Sequence, residues 1–136
     1  MTTLNGQPTG QSKPVSRQAG HYPTLQPIDT LSPTIKQFLQ DFKQALAGLY
    51  GDRLVSIVLY GSFARHEETD ASDVDVLVVL KGDISPGDEI LRMGDIKAKL
   101  LIKYGELISV VPTSQTDFWR RNSPLLEQIR QEGILV

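Results

Sequence analysis

The sequence predicts a small α/β domain in which helices flank a mixed sheet of three to four strands. Three observations predict it. Ile35, Phe38, Leu39, Phe42, Leu46 and Leu49 recur at helical spacing, which marks an amphipathic helix. Leu54 to Tyr60 and Val74 to Leu80 are short apolar runs rich in β-branched residues, the pattern of strands buried on both faces. A helix-periodic stretch then separates the second run from a third, Leu107 to Val111. Alternation of this kind places helices against a sheet.

The elements follow in order. Residues 1–31 scatter Pro8, Pro14, Pro23 and Pro27 among Gln, Thr, Ser and Gly without apolar periodicity. Such a stretch buries too little to offset its ordering entropy, so a flexible tail is expected, from which Tyr22 and Leu25 could dock on a partner. The folded domain is expected over 32–136. Ser32-Pro33 reads as an N-cap with proline at the first helical position, and Gly51 as a stop. Ser85-Pro86 opens a second helix, with Asp88 completing a capping box. Its stripe is Ile90, Met93, Ile96, Leu100 and Leu101, and Gly105 ends it. Ser114 and Asp117 cap a short helix carrying Phe118 and Trp119. Ser123-Pro124 starts the last helix, which Gly133 stops before Ile134-Leu135-Val136.

Composition narrows the function. The 136 residues suit one domain. A net charge of −2 gives no basic surface for coating nucleic acid. With no cysteine, thiolate metal sites, cysteine nucleophiles and disulfides are excluded, and a cytoplasmic setting is the simplest. No apolar run approaches a membrane span, and no signal-peptide core stands at the N-terminus.

Chemistry concentrates in residues 61–75. Gly61-Ser62 follows a buried strand directly; glycine permits a sharp turn and close approach of a ligand, and free N–H groups with the Ser62 hydroxyl suit phosphate oxygens. Asp73 and Asp75 stand two apart where a strand begins, so their side chains share a face while Val74, Val76 and Val78 take the other. Paired carboxylates repel unless a cation neutralises them, and magnesium is commonly held by one or two carboxylates plus substrate phosphates. Glu67, Glu68 and Asp70 read as a solvated loop, Tyr60 as strand packing, and Phe118 and Trp119 as core or a partner contact.

Gly61-Ser62, ten residues, then Asp73-x-Asp75 resembles the motif of the minimal nucleotidyltransferases of the DNA polymerase β superfamily. Element order extends the resemblance over about residues 35 to 136. The resemblance implies a nucleotidyltransferase fold, Asp73 and Asp75 as catalytic ligands of two Mg2+ ions, Gly61 and Ser62 as binders of the triphosphate, and Arg65 steadying it or pairing with an acid. It implies transfer of a nucleoside monophosphate, AMP from ATP, to a hydroxyl acceptor. Two departures stand out. His66 occupies a position where relatives place glycine, and we read it as exposed. Relatives carry a third metal carboxylate on a later strand; two alignments place Leu107 or Ser109 there, neither able to act as a base. Glu106 is a weak third candidate, reaching the metals only if the strand start re-aims it.

Minimal relatives often accompany a helical HEPN-type toxin, so an antitoxin that adenylylates such a partner is the expected role by analogy. The alternative is a catalytically weakened module that binds nucleotide or partner without turnover. An RNA-modifying subunit is disfavoured by the missing basic surface. Homo-oligomerisation is left open.

Overall fold

The computed structural model describes residues 25–136. Among the described residues five strands form one mixed sheet in the order β1-β5-β2-β3-β4: β1 is Gln26–Pro27, β2 Leu54–Tyr60, β3 Val74–Leu80, β4 Ile108–Ser114 and β5 Ile134–Leu135. β2 and β3 pair antiparallel; β4 lies parallel to β3. A parallel pair needs a crossover, and α2 (Pro86–Arg92) with α3 (Gly94–Tyr104) provides it. The remaining helices are α1 (Pro33–Tyr50), α4 (Gln115–Arg120) and α5 (Pro124–Glu132).

Local chemistry explains most boundaries. The Ser32 hydroxyl accepts the Ile35 N–H at 3.4 Å, Pro33 opens α1, and the N–H of Gly51 closes on Ala47. The buried stripe of α1 ends on Tyr50, while Leu49 is 39% exposed. A 3.6-residue period carries Leu46 to position 50, which corrects the expected last member. The Ser114 and Ser123 hydroxyls accept the N–H groups of Asp117 and Leu126 as expected. The capping box at Ser85 does not form: no side-chain cap bond is made there, and α2 starts on Pro86 with Asp88 and Glu89 in its first turn. The single helix expected from Pro86 to Tyr104 is two. Fully buried Met93 adopts φ −88° and ψ 0° between them, and Gly94, a poor helix former, begins the second.

The sheet is covered on both faces. Val74, Val76, Val78 and Leu80 pack with α1, Met93 and Leu100; Leu77 and Val79 pack with Phe118, Leu126 and Ile129 from α4 and α5. Two-sided burial is why β3 reads as a continuous apolar run after Asp75, from Val76 to Leu80.

The edge strands go beyond the expected three to four. β1 pairs parallel with β5, and β5 pairs antiparallel with β2 through Val58↔Leu135 and Leu59↔Ile134. Residues 25–31, expected within the tail, are therefore built into the domain: Leu31 is buried and Leu25 packs against the second cluster. Tyr22 and the rest of the expected tail lie outside the described residues. Among the described residues no helix is long and apolar enough to cross a membrane.

Candidate functional site

β2 ends and β3 begins side by side, with Tyr60 and Asp75 paired in register. The connecting segment 61–73 thus returns to its starting point, and the Gly61 turn and the two aspartates meet at the adjoining ends of two interior strands. The fit is close. Gly61 has φ +78°, and a Cβ built there would overlap Asp75 Oδ2, with Asp75 Cγ at 3.2 Å. Only glycine leaves the Asp75 carboxylate this place against the backbone.

After Gly61 the chain makes one helical turn and stops. Arg65 N–H donates to Gly61 O (3.1 Å), His66 N–H to Phe63 O (3.3 Å) and Glu67 N–H to Ser62 O (2.8 Å). Nested bonds of this kind around a left-handed residue are a Schellman closure, and His66, exposed at φ +59°, is that residue. A left-handed position of this kind favours glycine. Phe63 and Ala64 anchor the turn in the core.

By strand parity Asp73 and Asp75 lie on the face of Leu77 and Val79. Asp73 is exposed and Asp75 half-buried. Burial first, and then the charge of Asp73, push the Asp75 carboxyl above its ordinary range, while Arg65 opposes them. Tyr60 is pushed up by burial and then by Asp75. The pair is an electrostatically strained anionic site, which a cation would relieve.

The parallel register settles which β4 residues face the aspartates. Asp75 stands beside Ser109, and Val74 N–H donates to Leu107 O at 2.8 Å. By this register Leu107 adjoins Asp73. Both aligned positions share the aspartates' face, and neither is acidic. Glu106 precedes β4 by two residues and has the opposite parity. Among the described residues no group of three His, Asp or Glu side chains stands where it could hold a metal ion, so Glu106 completes no such cluster.

One participant escaped the sequence reading. Glu132, the last residue of α5, accepts the Gly61 N–H at 2.9 Å and pairs with Arg65 at 3.1 Å. Arg65 Nε also meets Glu67 at 3.0 Å. Arg65 therefore pairs with acids, one of the two roles expected for it, and the Gly61 amide is engaged by protein. Nothing in the spacing of residues 61–75 points to position 132; contact across 67 residues arises only from the fold.

A glycine turn thus abuts an aspartate pair at the ends of two neighbouring strands of a mixed sheet. The family model described as a nucleotidyltransferase domain matches residues 35–132, and the chain belongs to that family. Among its relatives, "Putative protein adenylyltransferase MJ0604" of Methanocaldococcus jannaschii is 35% identical over 96 residues, covering 70% of this chain and 90% of that one. "Putative protein adenylyltransferase MJ1305" of the same organism is 37% identical over 90 residues, covering 64% and 57%. A solved structure described as a putative nucleotidyltransferase from Sulfolobus solfataricus superposes with TM-score 0.42 at 16% identity, over 76% of this chain and 86% of that one.

Proposed function

We propose that the chain transfers AMP from ATP to a hydroxyl of a partner protein, with Asp73 and Asp75 holding magnesium and the Gly61-Ser62 turn receiving the triphosphate. The observation that carries this reading is the seating of the Asp75 carboxylate directly against Gly61 Cα. Metal ligands and phosphate donors must be neighbours to act on one Mg–ATP, and these are. The names of the relatives support both the adenylyl group and a protein acceptor.

The donor set fits magnesium. Two hard carboxylates on one face, one of them half-buried and repelled by the other, match an ion that takes one or two carboxylates and completes its shell with phosphate and water. When bound, magnesium would polarise the phosphates and neutralise charge developing on the leaving group. The residues of the chain do the rest. Gly61 leaves room for the carboxylate, and the Ser62 hydroxyl is a donor toward phosphate oxygens. Arg65, tied to Glu67 and Glu132, braces the turn. The acceptor oxygen bonds to the α-phosphorus, the bond to the bridging oxygen breaks, pyrophosphate departs, and the hydroxyl proton passes to water.

A second reading rests on Leu107 and Ser109. With no acid at the β4 positions beside the aspartates and, among the described residues, no third metal-holding carboxylate grouped with them, the module would bind nucleotide or partner and turn over slowly or not at all. By its likeness to minimal nucleotidyltransferases, the favoured acceptor is a helical HEPN-type toxin encoded nearby, with this chain as antitoxin. Incubation with α-labelled ATP, magnesium and the neighbouring gene product tests both. Labelled partner with wild type, and none with Asp73→Asn or Asp75→Asn, supports transfer. Complex formation without labelling by any form supports the binding module.

A further inference from the structure

We infer that Glu132 is a positioning residue for the phosphate-binding turn, acting through Gly61 and Arg65; this rests on the nucleotide reading of that turn. β5 pairs with β2 at Leu59↔Ile134, and continuing this antiparallel register would set residue 132 opposite Gly61. The main chain cannot continue the ladder there, because Glu132 ends α5 and Gly133 turns the chain. Gly133 is locked in place: a Cβ on it would come within 2.6 Å of Ile129 O and 2.5 Å of Val58 Cγ1. A side chain therefore replaces the missing backbone acceptor. Glu132 Oε2 takes the Gly61 N–H at 2.9 Å and holds Arg65 at 3.1 Å, and the Glu132 side chain is only 18% exposed.

One carboxylate thus grips the turn at both ends. It satisfies the amide at the entry residue and tethers Arg65, whose own N–H closes the turn on Gly61 O. Asp75 presses on Gly61, while Glu132 fixes its amide along the β5 side of β2. Without it, an orphaned amide and a freed guanidinium would let the turn drift from the aspartates, and small misplacements of a reacting group are costly.

The test uses the full chain labelled with 15N, reading Gly61 amide exchange, Mg–ATP affinity by calorimetry, and the melting transition. Glu132→Ala should speed Gly61 exchange about tenfold or more and weaken Mg–ATP binding about tenfold, with cooperative melting retained. Glu132→Gln keeps an acceptor oxygen for the amide and should hold both values within about threefold of wild type. If the alanine variant fails to fold, Glu132→Asp, with its carboxylate drawn back by a methylene, should show the same losses. Unchanged Gly61 exchange in Glu132→Ala overturns the inference. So does unchanged Mg–ATP affinity where the wild type binds. Absence of Mg–ATP binding by the wild type itself overturns the nucleotide reading, and this inference with it.

Discussion

Gly61→Ala should destabilise the fold through two separable effects, and a double-mutant cycle with Asp75→Ala isolates the one that matters for the site. At φ +78° a non-glycine residue costs about 1–2 kcal/mol, offset by about 0.4–1 kcal/mol from the stiffer unfolded chain. The new methyl also overlaps Asp75 Oδ2, and displacing that side chain or the surrounding backbone costs about 1–3 kcal/mol. The total is about 2–4 kcal/mol in the wild-type background. Asp75→Ala removes Oδ2 and Cγ and leaves only Asp75 Cβ at 3.3 Å, so there Gly61→Ala should cost only about 1 kcal/mol. Urea unfolding of the four proteins in EDTA, with no cation bridging the aspartates, measures the difference. A coupling of about 1–3 kcal/mol supports the contact; additivity within about 0.5 kcal/mol refutes the close approach on which the site rests.

Three further outcomes follow from the same geometry. His66→Gly removes a left-handed non-glycine residue and should stabilise the chain by about 0.5–1 kcal/mol in urea unfolding; a loss of stability would show that the imidazole makes a contact of its own. Asp75→Asn should raise the melting temperature in EDTA at pH 7 while abolishing Mg–ATP binding. Because the folded-state pKa of Asp75 is raised, first by burial, its ionised form opposes folding, so the advantage of the variant should shrink as pH falls into the carboxylate range. An advantage that stays unchanged as pH falls would contradict this. Buried Glu89, 4% exposed, accepts the Tyr50 hydroxyl at 2.8 Å and faces Arg53 and Arg92, and Tyr50 is pushed up to about 12, chiefly by burial and then by Glu89. A raised folded pKa stabilises below the unfolded value of 10.0 and is lost as pH rises towards 12. Tyr50→Phe should therefore cost about 1.5–3 kcal/mol at pH 7 and show a shallower decline between pH 10 and 12 than the wild type in chemical unfolding.

Features written in local sequence were legible and features created by distant pairing were not. Serine-proline pairs at 32–33, 85–86 and 123–124 marked three helix starts, because proline at N1 is a local constraint. The runs 54–60 and 74–80 matched β2 and β3 to the residue. Gly61, Asp73 and Asp75 could be singled out because the same-face rule for a strand is local too. Two-residue strands such as β1 and β5 carry no periodicity, so their pairing appears only once β2 offers an edge. The break at Met93 depends on one glycine against a strong apolar stripe, and tertiary burial of Met93 decided it. Which β4 residue adjoins Asp75 required the register with Ser109. Glu132 was invisible for the same reason: an acid at a helix end usually faces water, and only β5 carries it to Gly61.

The most direct measurement is a crystal structure of the chain soaked with magnesium and a non-hydrolysable ATP analogue. The account predicts magnesium bound by carboxylate oxygens of Asp73 and Asp75, with the phosphate chain seated against Gly61-Ser62. Nucleotide density elsewhere, or a metal that ignores both aspartates, would contradict it.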